Sequence, residues 1–115
     1  MTNELSKLSR EVIDAWEANA DYWNERMSEG NDFHEILIKP SQIRLLQIKK
    51  DEEILDIACG NGQFSRTMSE LGAKVLATDV SNRMILNAKT RTPESYTSLT
   101  FDVLDATDRD SLSAL

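Results

Sequence analysis

The sequence predicts an α/β fold, the first half of a doubly wound parallel sheet preceded by helices. Two observations predict it. After residue 51, three short apolar runs alternate with helical patterns, and the turn Gly60-Asn-Gly62 joins the first run to the next helix. Strands that alternate with helices through short connections lie parallel in one sheet. We therefore expect the order β-α-β-α-β in this part of the chain.

The first 50 residues are predicted to be helical. Over residues 5–27, apolar side chains recur at three- and four-residue steps, at Val12, Trp16, Ala20, Trp23 and Met27. A short second helix is predicted over 33–38. Pro40 suits the first turn of a third helix that ends near Ile48. Because a residue before proline disfavours helical backbone, Lys39 is expected to leave helical geometry.

Three strands and two helices are predicted in the second half. The strands cover 53–58, 74–78 and 98–103, and the helices cover 63–71 and 82–91. The first strand is mostly apolar and should be buried. Gly72 is expected to end the first of these helices in left-handed backbone, and Ser81 to cap the second. Another helix is predicted to begin near Asp108.

Composition and charge exclude several classes of protein. The 115 residues suit one small domain, and no apolar run is long enough to span a membrane. A net charge of -7 repels phosphate backbones, which argues against a nucleic-acid partner. The N-terminus has no apolar stretch behind a basic start, and the chain has a single cysteine. We therefore expect a cytoplasmic protein that uses neither a secretory signal nor a disulfide.

Three acids and the glycine turn indicate a ligand site. Asp56, Asp79 and Asp105 fall at the carboxyl ends of the three predicted strands, where parallel sheets bind ligands. Gly60 and Gly62 permit close approach of the backbone to a ligand. In nucleotide-binding sheets, an acid in the position of Asp79 accepts hydrogen bonds from ribose hydroxyls.

A dinucleotide is the alternative ligand, and an NAD(P)-binding oxidoreductase half-domain is the alternative function. Ser65 stands at the third position of the G-x-G-x-x-G/A fingerprint, where glycine or alanine is favoured. Asp56 would repel a pyrophosphate, whereas it would attract the ammonium and sulfonium groups of S-adenosylmethionine (SAM). A non-catalytic Rossmann-like interaction module is a third interpretation, and the intact set of acids argues against it.

The segment Ile54-Leu-Asp-Ile-Ala-Cys-Gly-Asn-Gly62 resembles motif I of class I SAM-dependent methyltransferases, D-x-G-x-G-x-G. Thr78-Asp-Val-Ser81 resembles their second motif, and residues 101–106 resemble their third. The closest likeness is to the small-molecule group that includes ubiquinone/menaquinone-type enzymes. The resemblance implies a Rossmann-like fold, SAM as cofactor and methyl transfer to an unidentified small molecule. Ala58 replaces the first glycine of the motif, and Phe64 stands where the third often is.

The resemblance also implies which residues hold the cofactor. Asp56 and the backbone at Ala58, Gly60 and Gly62 would hold the methionine moiety, Asp79 the ribose, Val80 and Met84 the adenine face, and Asp105 and Ala106 the adenine amine and ring edge. Tyr22 and Trp23, in a helix before the domain, would touch the SAM carboxylate or line the substrate pocket. Packing on the domain is the alternative for these two residues, and it is the expected role of Trp16.

The resemblance divides the chain in two. Residues 1–50 would form N-terminal helices and a cofactor lid, and residues 51–115 the first, incomplete half of the SAM-binding domain. We expect a piece of a protein roughly twice this length, since such sheets are built from two halves. This piece alone should be inactive, and its catalytic residues are unassigned. The open sheet edge makes pairing with another copy a further expectation.

Two residues are not predicted to take part in chemistry. His34 is the only histidine, and no metal ligands stand at suitable spacing from it. We expect His34 at the surface or at a helix cap. Cys59 lies in the glycine turn with no base near it in sequence, and it is interpreted as a packed residue rather than a nucleophile.

Overall fold

The computed structural model describes residues 3–28 and 30–115, with side chains from residue 6 onward within those ranges. Met1, Thr2 and Glu29, which fall in the predicted N-terminal segment, lie outside the described residues. The elements are helix α1 (Asn3–Met27), a π-helix (His34–Ile38), α2 (Lys39–Leu46), strand β1 (Glu53–Ile57), α3 (Gln63–Glu70), β2 (Lys74–Asp79), α4 (Asn82–Arg91), β3 (Leu99–Val103) and α5 (Arg109–Ser113). The predicted order of helices followed by β-α-β-α-β is confirmed.

The three strands form one parallel sheet in the order β1-β2-β3. Ile57 pairs with Thr78, and Asp79 pairs with Val103, so all three carboxyl ends meet at one edge. This is the sheet predicted for the first half of a doubly wound fold. The edge where the strands end collects the turn after β1, the turn after β2 and the loop after β3.

The hydrophobic core lies between α3 and one face of the sheet. Its buried members are Met68, Ala73, Val75, Ala77 and Leu99. The opposite face is open, because no described helix covers it along β1: Leu55 is 42% exposed and Ile57 is 51% exposed. The expectation that β1 is buried is therefore wrong for this chain. Side chains alternate between the two faces of a strand, and only one face has a partner layer.

The chain stays helical through Lys39, and the expectation that Pro40 displaces it is wrong. Lys39 has φ -59° and ψ -48°, and its N–H donates to the His34 carbonyl. The wide π-turn ends where α2 begins, so Pro40 falls in the first turn of α2. A proline there needs no N–H partner within the helix.

A strip of polar contacts holds α1 on α4. The Glu17 carboxylate accepts from Ser81 Oγ at 2.6 Å and from the Arg83 N–H at 3.0 Å. The Asp21 carboxylate accepts from Arg83 Nε at 2.7 Å and from Asn87 Nδ2 at 3.0 Å. The hydrogen bond from Ser81 is the main cause that lowers the pKa of Glu17, and the hydrogen bond from Arg83 is the main cause that lowers the pKa of Asp21. Ser81 also accepts from the Met84 N–H at 3.1 Å, which confirms its predicted capping role.

Among the helices described, none combines the length and apolar character needed to cross a membrane.

Candidate cofactor site

The turn after β1 carries left-handed backbone at three alternate positions. The φ angle is 64° at Ala58, 58° at Gly60 and 83° at Gly62. This geometry costs an L-residue roughly 1–2 kcal/mol, and glycine avoids the cost. Ala58, which stands where the resembled motif has its first glycine, keeps the backbone expected of that glycine. The Gly62 N–H donates to the Cys59 carbonyl at 3.0 Å and closes the turn.

The two glycines lack side chains for different reasons. A Cβ added at Gly60 would point at the Trp23 indole, 3.6 Å from its Nε1 atom. A Cβ added at Gly62 would come within 2.9 Å of the Phe101 ring. Gly60 therefore keeps space open beneath α1, whereas Gly62 keeps space for packing inside the domain.

Asp79, at the end of β2, is held in place by two backbone donors. Its carboxyl group is buried, and its Oδ2 accepts from the Gly60 N–H while its Oδ1 accepts from the Ser81 N–H, both at 3.0 Å. These two backbone donors lock the orientation of the side chain. Each oxygen retains a lone pair that can accept from a ligand hydroxyl.

Asp56, on β1, is in a different environment. Its Oδ2 accepts from the fully buried Ser65 hydroxyl at 2.5 Å. Burial raises the pKa of Asp56, the Ser65 hydrogen bond opposes this rise, and the charge of Asp79 adds to it. Ser65 occupies the third position of the dinucleotide fingerprint and uses its hydroxyl on this acid, a bond that glycine or alanine cannot make.

Two cavities meet at the turn. The large cavity, of about 490 Å³, lies between α1 and the ends of β2 and β3, with Val12, Ile13 and Trp16 on its α1 side. The small cavity, of about 340 Å³, lies between the turn and the π-helix–α2 segment. Both are lined by Trp23, Ile57, Ala58 and Gly60, and the two cavities on either side of the turn are together called the groove.

Most of the predicted cofactor-binding residues line this groove. The large cavity contains Trp23, Ala58, Gly60, Asp79, Val80, Met84, Asp105 and Ala106, and the small cavity contains Asp56 together with Trp23, Ala58 and Gly60. Gly62 and Tyr22 line neither cavity. Tyr22 is 62% exposed on the outer side of α1, with the Arg26 guanidinium 5.8 Å from its ring centroid. Trp16 lines the large cavity and packs edge-on against Trp23, with ring centroids 5.6 Å apart.

Asp105 forms a local turn at the end of β3. Its Oδ1 accepts from the Thr107 N–H at 2.9 Å and from the Thr107 hydroxyl at 2.6 Å. These bonds orient the carboxylate at the rim of the large cavity.

Residues 54–114, just over half of the chain, match a family model described as a methyltransferase domain. The chain belongs to this methyltransferase family. The match supports the predicted resemblance and gives no support to an NAD(P)-binding oxidoreductase.

Relatives of this methyltransferase domain include enzymes of quinone biosynthesis. Ubiquinone biosynthesis O-methyltransferase of Pseudoalteromonas translucida (strain TAC 125) is 30% identical over 96 residues, which cover 80% of this chain and 40% of that protein. Demethylmenaquinone methyltransferase of Tropheryma whipplei (strain Twist) is 31% identical over 90 residues, which cover 78% of this chain and 35% of that protein. The chain thus spans less than half the length of the curated relatives it matches.

A solved structure confirms the fold of the methyltransferase domain. Magnesium protoporphyrin IX methyltransferase from Synechocystis PCC 6803, with bound SAH, superposes with a TM-score of 0.66. The alignment covers 84% of this chain and 51% of that protein at 21% identity. At this identity the likeness shows the fold alone, and it agrees with the three-stranded parallel sheet described above.

Sequence reasoning missed three polar residues that line the small cavity. His34 is buried, so the expectation that it lies at the surface is wrong, and it lines the small cavity with Gln42 and Gln63. The His34 Nδ1 atom and the Oε1 atoms of the two glutamines are buried without a hydrogen-bond partner. No motif marks these residues, because they come from three different elements that only the fold brings together.

Cys59 behaves as a packed residue. It lies against the core cluster, and burial strongly raises the pKa of its thiol, with the charges of Asp56 and Asp79 adding to the effect. A thiol in this environment stays protonated and is a poor nucleophile, as predicted. Within residues 3–28 and 30–115, no cluster of histidine, cysteine and acidic side chains could hold a metal ion.

Proposed function

We propose that this chain is the cofactor-binding part of a class I SAM-dependent methyltransferase, whose full length transfers a methyl group to a small molecule. The observation that carries the proposal is the position of Asp79. This buried carboxylate is fixed by two backbone donors and lies on the wall of the groove that runs past the glycine turn. Such an acid, at the end of the second strand, suits a ribose with two free hydroxyls.

The large cavity fits an adenosine group. Val80, Met84 and Leu104 supply apolar surface for the faces of a base, and Asp79 and Asp105 supply acceptors for hydroxyls and an exocyclic amine. Side chains of α1 lie across the same cavity, which supports a lid role for the segment 1–50. A pocket that is mostly apolar with a few fixed polar groups is typical of a small-molecule site.

The charge of the groove fits a cationic cofactor. Asp56 and Asp79 both line it, and burial and mutual repulsion raise the pKa of Asp56. A cation in the groove would offset this cost, since an opposite charge favours the ionised carboxyl. A pyrophosphate would increase the cost. The groove therefore suits SAM, which carries an ammonium and a sulfonium group, better than it suits NAD.

SAM, when bound, supplies a methyl group already activated by its sulfonium. The residues described here bind and orient: Asp79 holds the ribose, Val80 and Met84 hold the base, and Trp23 covers the turn where the two cavities meet. Holding the reacting groups in a productive geometry supplies much of the rate of such displacements. The residue that removes a proton from the acceptor is not assigned to this chain.

A small-molecule acceptor is supported by the names of the quinone methyltransferases that the chain resembles. A net charge of -7 argues against a nucleic acid as the acceptor. A cytoplasmic location remains a proposal that rests on the single cysteine. Pairing with another copy through an open sheet edge also remains a proposal.

A calorimetric titration of the chain with S-adenosylhomocysteine, run beside NAD, tests the proposed cofactor. We expect S-adenosylhomocysteine to bind and NAD to give no heat above dilution. Circular dichroism on the same sample establishes that the chain is folded. Tighter binding of NAD, or binding of neither ligand by a folded chain, would contradict the proposal.

A further inference from the structure

We infer that His34, Gln42 and Gln63 form a wall of hydrogen-bond acceptors that binds the ammonium group of the cofactor's amino-acid end. We call these three residues the acceptor wall. The inference rests on the proposed function and extends it to residues without a motif. His34 and Gln42 also lie outside residues 54–114, the part of the chain that the family model matches.

Unsatisfied polar atoms carry this inference. The His34 Nδ1, Gln42 Oε1 and Gln63 Oε1 atoms are buried without a hydrogen-bond partner, and all three residues line the small cavity. A buried polar atom without a partner is destabilising. Three such atoms beside one cavity favour a ligand that carries hydrogen-bond donors.

The surrounding contacts keep the acceptor wall beside the cavity. The His34 backbone N–H donates to Asn31 Oδ1 at 2.9 Å, and its ring packs edge-on against Phe64, with centroids 6.5 Å apart. The Gln63 backbone N–H donates to Asn61 Oδ1 at 3.3 Å, at the start of α3. The terminal torsion of a glutamine side chain is broad, so each amide can turn its oxygen toward a ligand at little cost.

The chemistry of the small cavity selects a cationic donor. Glutamine Oε1 can only accept, and imidazole Nδ1 accepts when the other ring nitrogen carries the proton. Asp56 adds a carboxyl group to the same cavity, and none of the described residues that line it is lysine or arginine. An ammonium group offers three donors and a positive charge to these acceptors.

The large and small cavities share Ala58 and Gly60 in their linings. In the proposed pose, the adenosine group lies in the large cavity and the ligand extends past the turn into the small cavity. The amino-acid end of the cofactor carries an ammonium group, and a methyl acceptor with its own ammonium group is the other possible source. Ligands that resemble the cofactor separate the two sources, because a titration with them contains no methyl acceptor.

Two adenosine thioethers isolate the ammonium contact. S-adenosylthiopropylamine carries the ammonium group but no carboxylate, and methylthioadenosine carries neither. The dissociation constant of methylthioadenosine divided by that of S-adenosylthiopropylamine, both measured by calorimetry on the full chain, reports the contribution of the ammonium group. We expect Gln42→Leu to lower this ratio about tenfold while the affinity for methylthioadenosine stays the same, since one hydrogen bond to a charged group is lost. Gln42→Glu keeps an acceptor and adds a negative charge, so the ratio should be at least as high as in the wild-type chain.

His34 provides a second matched pair. His34→Leu should also lower the ratio about tenfold, and His34→Asn should restore much of it, because the amide oxygen can replace the Nδ1 acceptor. Should Gln42→Leu fail to fold, the His34 pair decides. An unchanged ratio in both leucine variants would overturn the acceptor wall and leave the proposed cofactor intact. If the leucine variants lose affinity for both thioethers equally, the acceptor wall is also overturned, because these residues then have only a structural role. If the wild-type chain binds neither thioether, the proposed function itself fails.

Discussion

The two ends of the groove are built in opposite ways. At the Asp79 end, both carboxyl oxygens accept backbone N–H groups, from Gly60 and Ser81, and the side chain is fixed before any ligand arrives. At the Asp56 end, burial raises the pKa of the carboxyl, and one serine hydroxyl is the donor that it accepts from. The first end is therefore preorganised, while the second end holds a carboxyl group whose charged form is disfavoured by burial.

The largest effect is expected at Gly60, where the two ends meet. Gly60→Val would place a branched side chain toward Trp23, in backbone with a φ angle of 58°. We expect S-adenosylhomocysteine binding to fall at least about 100-fold, because the side chain blocks the groove and strains the turn. Calorimetry measures the affinity, and circular dichroism checks the fold. Gly60→Ala is the matched control with an intermediate loss. Normal binding by a folded Gly60→Val chain would contradict the role of this turn.

At the preorganised end, Asp79→Ala should weaken S-adenosylhomocysteine binding by about 1.5–3 kcal/mol, the scale of hydrogen bonds to a charged group. Asp102→Ala is the control, since Asp102 is exposed on β3 and lines neither cavity. Its affinity should match that of the wild-type chain. An Asp79→Ala variant that folds and binds as tightly as this control would refute the ribose role.

At the other end, Asp56→Asn should stabilise the free protein at pH 7 by about 0.5–2 kcal/mol and weaken cofactor binding. Burial raises the pKa of Asp56. The stability that its proton provides is fully present below the unfolded pKa, about 3.9, and is lost as the pH rises through the folded value. The difference in melting temperature between variant and wild type should therefore shrink as the pH falls toward 4. A gap that does not depend on pH, or a less stable variant at pH 7, would contradict this account of Asp56.

The smallest effect is expected at Ala58, between the two ends. Ala58→Gly should raise the free energy of unfolding by roughly 0.5–1 kcal/mol, because glycine relieves left-handed strain but has more freedom when unfolded. Urea denaturation measures the change. Ala77→Gly, in the buried part of β2, is the comparison and should destabilise the protein. If both variants lose the same stability, the strain assigned to Ala58 is absent.

Local sequence patterns predicted the acids at both ends of the groove, but not the three polar residues that line the small cavity beside Asp56. The order of strands, the glycine turn and the acid after β2 follow from local patterns, because a motif fixes the backbone that positions Asp79. The acceptor wall has no such pattern, since His34, Gln42 and Gln63 come together only when the π-helix, α2 and α3 pack around the turn.

Other features of the site also depend on neighbours distant in sequence. Gly60 and Gly62 belong to one turn, but a Cβ added at Gly62 would meet the Phe101 ring, whereas one added at Gly60 would meet the Trp23 indole. Trp23 and Tyr22 are adjacent on α1, yet a helix turns by about 100° per residue, so one faces the groove and the other faces solvent. β1 is exposed because no helix among the described residues covers its second face, and the apolar sequence of the strand does not reveal this.

The polar strip between α1 and α4 has a consequence for the timing of ligand exchange. Ser81 donates its N–H to Asp79 in the groove and its hydroxyl to Glu17 on α1, so one residue joins the floor of the large cavity to its roof. Lifting α1 requires the bonds of Glu17 and Asp21 to break together. We therefore expect Arg83→Ala, which removes one partner of Asp21, to shorten the residence time of a bound ligand more than it changes the contacts that the ligand makes.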